Sequence, residues 1–251
     1  MQNTDYNMAK RNKNPLALIT GAGRGIGSSI AEQYASLGFD LILIARSQRE
    51  LLEQKNKLEK KYAIRCNVVI ADLSHAEALH QALHKLASQY KRLDVLVNNA
   101  GIYTPGKVSE QPEAELRKML DINLYAAWRL SQWAIPLLEK GRKPLIINIG
   151  SIAGLQPYPN GGAYSVSKYA LVGFSENLRN ELKLKGIRVS TINPGATWSS
   201  SWKNTRLSKS RMMPAEDIAA LCGLIYQFSG STVLEEVTLR PLLGDIRDDE
   251  F

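Results

Sequence analysis

The chain is poor in cysteine. Cys66 and Cys222 are its two, and neither belongs to a Cys-x-x-Cys pair. That excludes a disulfide framework and argues against a structural zinc site; two inert buried thiols in a reducing cytoplasm fit, and no metal ligand set is expected. No apolar run is long enough to cross a bilayer, so no membrane partner is expected. Met1–Lys13 is polar and lacks the apolar centre of a signal peptide. Residues 1–14 are expected to be a flexible lead-in to one domain over residues 15–251. There is no composition break, internal repeat or low-complexity tract to divide that domain.

An array of basic and aromatic residues is also lacking. The formal net charge is +8, yet lysine and arginine are spread along the chain apart from Lys10, Arg11 and Lys13. A nucleic-acid partner is therefore not expected. The positive balance serves solubility, and it also attracts a polyanionic cofactor.

What is present is an ordinary globular composition, 44% hydrophobic and 22% charged in 251 residues, enough for one large α/β core. Short apolar runs alternate with longer amphipathic stretches. Strands are predicted at 16–20, 41–45, 67–70, 93–98, 145–150, 187–193 and 233–239. Most are Val/Ile/Leu-rich with weak alternation, as strands buried on both faces require. Helices are predicted at 27–37, 49–62, from Ser74 to about Tyr90, 113–138, 163–183 and 215–226. Ser74 with Glu77 reads as a capping box for the third of these. The alternation predicts a single-domain Rossmann fold: a doubly wound, seven-stranded parallel sheet with helices on both faces. Ligands of such sheets bind beyond the carboxyl ends of the strands.

The first strand ends in Thr20-Gly21-Ala22-Gly23-Arg24-Gly25-Ile26-Gly27, and a helix follows. Glycines let the backbone turn sharply and approach a pyrophosphate, and the helix N-terminus offers free N–H groups to it. Gly21, Gly23, Arg24, Gly25, Ile26 and Gly27 are thus candidate cofactor contacts. The second strand ends in Arg46-Ser47 rather than an acid, and Asp40 stands at its other end. A guanidinium suits a ribose phosphate better than a ribose diol, so Arg24, Arg46 and Ser47 point to NADP(H) over NAD(H).

The turn resembles the Thr-Gly-x-x-x-Gly-x-Gly motif of the short-chain dehydrogenase/reductase (SDR) family, and the resemblance extends over about residues 15–240. It implies an NADP-preferring oxidoreductase, because a basic residue at either arginine position marks such members. Asp72-Leu73 is similar to the family's adenine-contacting pair, and Asn98-Asn99-Ala100-Gly101 to its Asn-Asn-Ala-Gly motif. Asn99, Ala100 and Gly101 are the implied contacts; for Asn98 a purely structural role stands beside that reading. Tyr164-Ser165-Val166-Ser167-Lys168 matches the catalytic Tyr-x-x-Ser-Lys, thirteen residues after Ser151. Asn123 matches the helical catalytic asparagine.

These residue types suit carbonyl reduction. Hydride goes to carbon and a proton to oxygen, so an acid must stand beside the developing alkoxide. Tyr164 is expected to be that acid, its pKa lowered by the Lys168 ammonium and by the positive ring of the oxidised cofactor. Ser151 stabilises the substrate oxygen, Asn123 positions a relay water, and Tyr164 and Lys168 also contact the cofactor. Pro194-Gly195-Ala196-Thr197-Trp198-Ser199 departs from the family's Pro-Gly-x-Val-x-Thr. Pro194, Gly195, Thr197 and Ser199 are still assigned to cofactor binding.

The expected function is NADPH-dependent, reversible reduction of a ketone or aldehyde, the partner being a small carbonyl or alcohol. A non-catalytic NADP-binding sensor or scaffold and a 3-oxoacyl-carrier-protein reductase are the alternatives. Glu235–Asp245 departs from the carrier-protein reductase pattern. Two readings stand for the basic loop 198–213, with Trp202, Lys203, Arg206, Lys209 and Arg211: a lid over an anionic or carrier-linked substrate, or a solvated loop. Tyr158 and Trp198 line a pocket or merely pack. The resemblance implies a homodimer or homotetramer through the long helices after strands four and five.

Overall fold

The structure, a computed structural model, describes residues 14–158, 160–199 and 207–246. Seven parallel strands form one sheet in the order β3-β2-β1-β4-β5-β6-β7. They are β1 Leu16–Thr20, β2 Asp40–Ala45, β3 Cys66–Ile70, β4 Val95–Asn98, β5 Leu145–Ile149, β6 Arg188–Pro194 and β7 Glu236–Leu239. The helices are α1 Gly25–Ser36, α2 Gln48–Lys61, α3 Ala76–Gln89, α4 Glu113–Leu120, α5 Ala126–Leu138, α6 Gly162–Leu182 and α7 Ala215–Gln227. The predicted doubly wound architecture is therefore the observed one. Strand order reverses between β1 and β4, which opens a crevice at their carboxyl ends.

Two apolar layers flank the sheet. On one face Ile30 and Tyr34 of α1, Leu51 and Leu58 of α2 and Ile218 and Ile225 of α7 pack on the strands. On the other, Leu79 and Leu83 of α3, Leu130 and Leu138 of α5 and Leu178 of α6 do so. Burying each such side chain contributes roughly 1.5–3 kcal/mol, so this double layer carries the fold. Cys66 and Cys222 are free thiols buried in it, and burial pushes the Cys66 thiol up to about 12. Asp40 lies at the start of β2, where it pairs with Arg65 at 2.5 Å, far from the crevice.

Three local expectations are corrected. The side-chain cap forms at Ser47, not at Ser74: Ser47 Oγ accepts from the Glu50 amide at 3.3 Å. The Ser74 hydroxyl instead donates to Asp72 Oδ1 at 2.7 Å, and the α3 N-cap moves to His75. The single helix predicted over 113–138 is interrupted by a π-helical turn at Asp121–Tyr125. The last strand is shorter than predicted and begins at Glu236.

Candidate active site

A cavity of about 1420 Å³ follows the carboxyl ends of the strands. Every predicted cofactor contact lines it: the glycine turn, Arg46 and Ser47, Asp72 and Leu73, Asn99 to Gly101, Pro194, Gly195, Thr197 and Ser199. Ser151, Tyr164 and Lys168 line it too.

The turn is held from below. Thr20 Oγ1 accepts from the backbone N–H of Asn99 at 3.0 Å and of Ala100 at 2.9 Å. Asn99 Nδ2 donates to the Thr20 carbonyl at 2.8 Å. Gly21 and Gly25 adopt φ of 65° and 55°. No side chain caps α1, so its first N–H groups face the crevice, ready for an anion. Ser199 stands against Gly25, on the phosphate side of the turn.

Asn98 takes the structural role. Its Nδ2 donates to Asn148 Oδ1 at 2.8 Å and to Ser131 Oγ at 3.2 Å, buried beneath the sheet end. At the end of the crevice beside the glycine turn, Arg24 faces Glu50 at 3.6 Å and Arg46 faces Asp72 at 4.0 Å. Glu50 is the residue missed there. It lies in the first turn of α2, and no spacing in the sequence connects it to Arg24.

At the other end four side chains converge. Lys168 is buried, and its Nζ donates to the Ile149 carbonyl at 2.9 Å. The same Nζ lies 5.8 Å from the centre of the Tyr164 ring. Ser151 hydrogen-bonds the Tyr164 hydroxyl and caps the short turn Ile152–Gly154. Asn123 sits in the π turn. Its Oδ1 accepts from Ile102 N at 2.8 Å, and its Nδ2 donates to Ile102 O at 3.1 Å and to Ser167 Oγ at 2.9 Å. Asn123 does not itself line the cavity: the π turn sets its amide behind the wall, where a Cβ on Gly101 would lie 3.3 Å from Asn123 Oδ1 and 3.6 Å from Lys168 Nζ. Asn123 thereby fixes the strand-end loop against α6.

The electrostatics depart from expectation in one respect. Burial raises the Tyr164 phenol above its ordinary value; the Ser151 hydrogen bond opposes this, and Tyr103 adds to it. Burial also lowers the Lys168 amine to about 8. The protein alone therefore keeps Tyr164 protonated and leaves the lysine able to shed its charge near neutrality. A cationic ring beside both groups would add the missing downward pull on the phenol.

The walls near Tyr164 are carbon-rich. Ile102, Tyr103, Ile152, Tyr158 and Ile246 face the cavity, and the Tyr103 ring meets that of Tyr164 edge-on at 5.0 Å. Tyr158 is thus a pocket residue, whereas Trp198 packs on the small cluster of Ala196, Met212 and Ile246. Trp202, Lys203 and Arg206 of the basic loop lie outside the described residues. Lys209 Nζ lies over the Trp198 ring at 5.0 Å. Arg211 donates to the carbonyls of Gly244 and Asp245, both at 2.9 Å. Lys209 thus packs within the loop, and Arg211 ties the loop to the C-terminal segment.

The short chain dehydrogenase family model matches residues 15–210. Sepiapterin reductase of Chlorobaculum tepidum is 31% identical over 93% of this chain and 99% of its own. The solved alcohol dehydrogenase of Thermococcus sibiricus, in complex with 5-hydroxy-NADP, is 25% identical, has a TM-score of 0.85 and covers 94% of this chain and 100% of its own. L-sorbose reductase of Gluconobacter frateurii, in complex with NADPH and L-sorbose, is 26% identical, has a TM-score of 0.84 and covers 91% and 96%. A glycine crevice at the switch point and a match over most of the domain lead to one family: the chain belongs to the short-chain dehydrogenases/reductases, and it is an oxidoreductase.

Proposed function

We propose that the protein is an NADPH-dependent carbonyl reductase with Tyr164 as its proton donor. The observation that carries this reading is the convergence of Tyr164, Ser151 and Lys168 on one end of a crevice whose other end holds the glycine turn, Arg24 and Arg46. The residues fit a phosphorylated dinucleotide: the α1 N-terminus and Ser199 for the pyrophosphate, Arg24 and Arg46 for the ribose phosphate, Asp72 and Leu73 for the adenine. When bound, the reduced nicotinamide supplies the hydride taken up by the carbonyl carbon.

The Tyr164 hydroxyl delivers its proton to the carbonyl oxygen as that oxygen gains charge. Ser151 donates a hydrogen bond to the same oxygen and stabilises the charge before the proton arrives. Lys168 holds the nicotinamide ribose and, as an ammonium, eases the departure of the phenolic proton. Asn123 orients the water that returns a proton to Lys168. The carbon-rich wall favours carbonyl compounds with apolar substituents. A panel of ketones and aldehydes, run in parallel with NADPH and NADH, tests the reading; NADPH binding with no carbonyl reduced across the panel refutes it.

Two further results follow. Arg46→Asp is expected to reduce the preference for NADPH over NADH about 10–100-fold, the worth of one or two charge-assisted hydrogen bonds. The ratio of the two kcat/KM values measures it, and an unchanged ratio removes Arg46 from the phosphate site. In pH, the Lys168 ammonium is present below about 8 and lost above it, while Tyr164 stays protonated. Carbonyl reduction is therefore expected to decline above about pH 8. A rate that stays flat to strongly alkaline pH contradicts this assignment.

The protein is proposed to work as a homo-oligomer. Tyr125 and Trp128 on one helix and Val166 and Tyr169 on another are 44–46% exposed, and Trp128 meets Phe174 at 5.2 Å, joining the two faces. Such a patch suits a two-fold contact with a second copy. Trp128→Glu is expected to shift the mass in light scattering to that of a monomer.

A further inference from the structure

The catalytic helix α6 begins at Gly162, and no side chain of its own segment caps it. A helix start leaves backbone donors without partners, and here the second residue of the helix precedes Tyr164. The missing acceptor comes from far away in sequence. Gln111 Oε1 accepts from the Ala163 amide at 2.7 Å. Its Nε2 donates to the Thr104 carbonyl at 3.1 Å. One side chain thus bridges the first turn of α6 to the loop 102–106. The Gly106 amide adds a parallel link to the Asn160 carbonyl at 2.9 Å.

That loop carries the wall of the site. Its Ile102 is fixed by Asn123, and its Tyr103 ring abuts the Tyr164 ring at 5.0 Å. The loop is therefore pinned at both ends to the catalytic machinery, by Asn123 at its start and by Gln111 at its finish. The space for Gln111 is shaped to it. A Cβ added at Gly106 would lie 2.4 Å from Gln111 Cγ and 2.6 Å from both Cδ and Nε2.

We propose that Gln111 is a positioning residue for catalysis, latching the substrate-side loop to the first turn of the catalytic helix and so fixing the Tyr164 phenol. Its effect on rate rests on the carbonyl-reductase reading; its effect on structure does not. Gln111 acts through Ala163 and Thr104, so removing it leaves the glycine turn and the cofactor's phosphates alone. Small displacements of a proton donor are costly to rate without weakening ground-state binding.

Gln111→Met has similar length and neither hydrogen bond. In the full-length protein, amide hydrogen exchange at Ala163 is expected to speed up about tenfold or more, as for one lost hydrogen bond. The ring resonance of Tyr164 in carbon-13 tyrosine-labelled protein is expected to move. With the best carbonyl of the panel, kcat is expected to fall about tenfold or more while the NADPH Kd stays within about twofold. Gln111→Glu keeps an acceptor for Ala163 and is expected to restore its protection. Gly106→Ala reaches the same latch with Gln111 intact. It is expected to reproduce the loss alone and to add little in a Gln111→Ala background, a non-additive pair.

Unchanged Ala163 exchange and an unmoved Tyr164 resonance in Gln111→Met overturn the latch, as does a wild-type kcat. Should the Met variant not fold, additive effects of Gly106→Ala and Gln111→Ala overturn it instead. If the wild-type protein reduces no carbonyl, the functional reading fails on its own, and exchange and resonance still decide the latch.

Discussion

Tyr164→Phe is expected to cut carbonyl reduction about 10²–10⁴-fold, the usual worth of a positioned general acid. NADPH affinity is expected to stay within about twofold, because the lost hydroxyl points to the reacting centre while the phosphates are held at the glycine turn. The ring remains, so its edge-on contact with Tyr103 and the packing of α6 persist. Ser151 loses the partner it now bonds, yet its hydroxyl retains the Ala153 amide at 3.2 Å. What disappears is the hydroxyl that burial keeps protonated beside Ser151. Lys168 does not replace it, since its Nζ is turned to the Ile149 carbonyl. Steady-state rates with NADPH, set beside a fluorescence titration of cofactor binding, measure the two effects separately. Near-normal turnover in the Phe variant would sink the proposed mechanism. Loss of binding with loss of rate would mean that the tyrosine holds the cofactor rather than delivering a proton.

Gly27→Ala is expected to have the second large effect, on cofactor binding. An added Cβ would lie 2.3 Å from the Gly21 carbonyl oxygen, 2.5 Å from Asn99 Nδ2 and 2.8 Å from the Gly21 carbonyl carbon. Two of these atoms are backbone of the turn itself, so the clash cannot be relieved by turning a side chain. The first strand end must shift, and it carries the Thr20 hydroxyl that orders Asn99 and Ala100. Overpacking of this kind costs about 1–3 kcal/mol in stability. The larger consequence is for NADPH, whose Kd is expected to rise about 100-fold or more as the phosphate-facing N–H groups lose alignment. Urea unfolding and a cofactor titration on the same preparation test both parts. A variant that binds NADPH normally would show that the turn is not the pyrophosphate site.

The legible parts share a property: they depend on neighbours in sequence. The glycine turn needs closely spaced glycines after a buried strand. Tyr164 and Lys168 need only helical spacing to share a face. The apolar runs of β1, β2 and β5 are buried except at Ala45, as continuous apolar runs predict. Ser74 shows how such reasoning fails. Its spacing to Glu77 satisfies a capping box, but the Asp72 carboxylate, two residues back, captures its amide and hydroxyl. Local hydrogen bonds competed and the turn won. The π turn at Asn123 was equally invisible, since one extra residue in a helical turn leaves the apolar period nearly intact.

Gln111 and Glu50 were missed for another reason. Each acts on a group distant in the chain or across the crevice, and no spacing rule connects position 111 to position 163. The reversal of the phenol's expected shift is of the same kind. Proximity of Lys168 in sequence says that a cation is near Tyr164, but burial is the largest influence on both groups. The sequence by itself determined the sheet, the glycine turn and which side chains stand at the strand ends, because these follow from periodicity and local backbone chemistry. Tertiary structure alone decided how the site is braced, which arginines face which acids, and where the protons reside. Those properties arise from desolvation and from contacts between segments that meet only when the chain is folded.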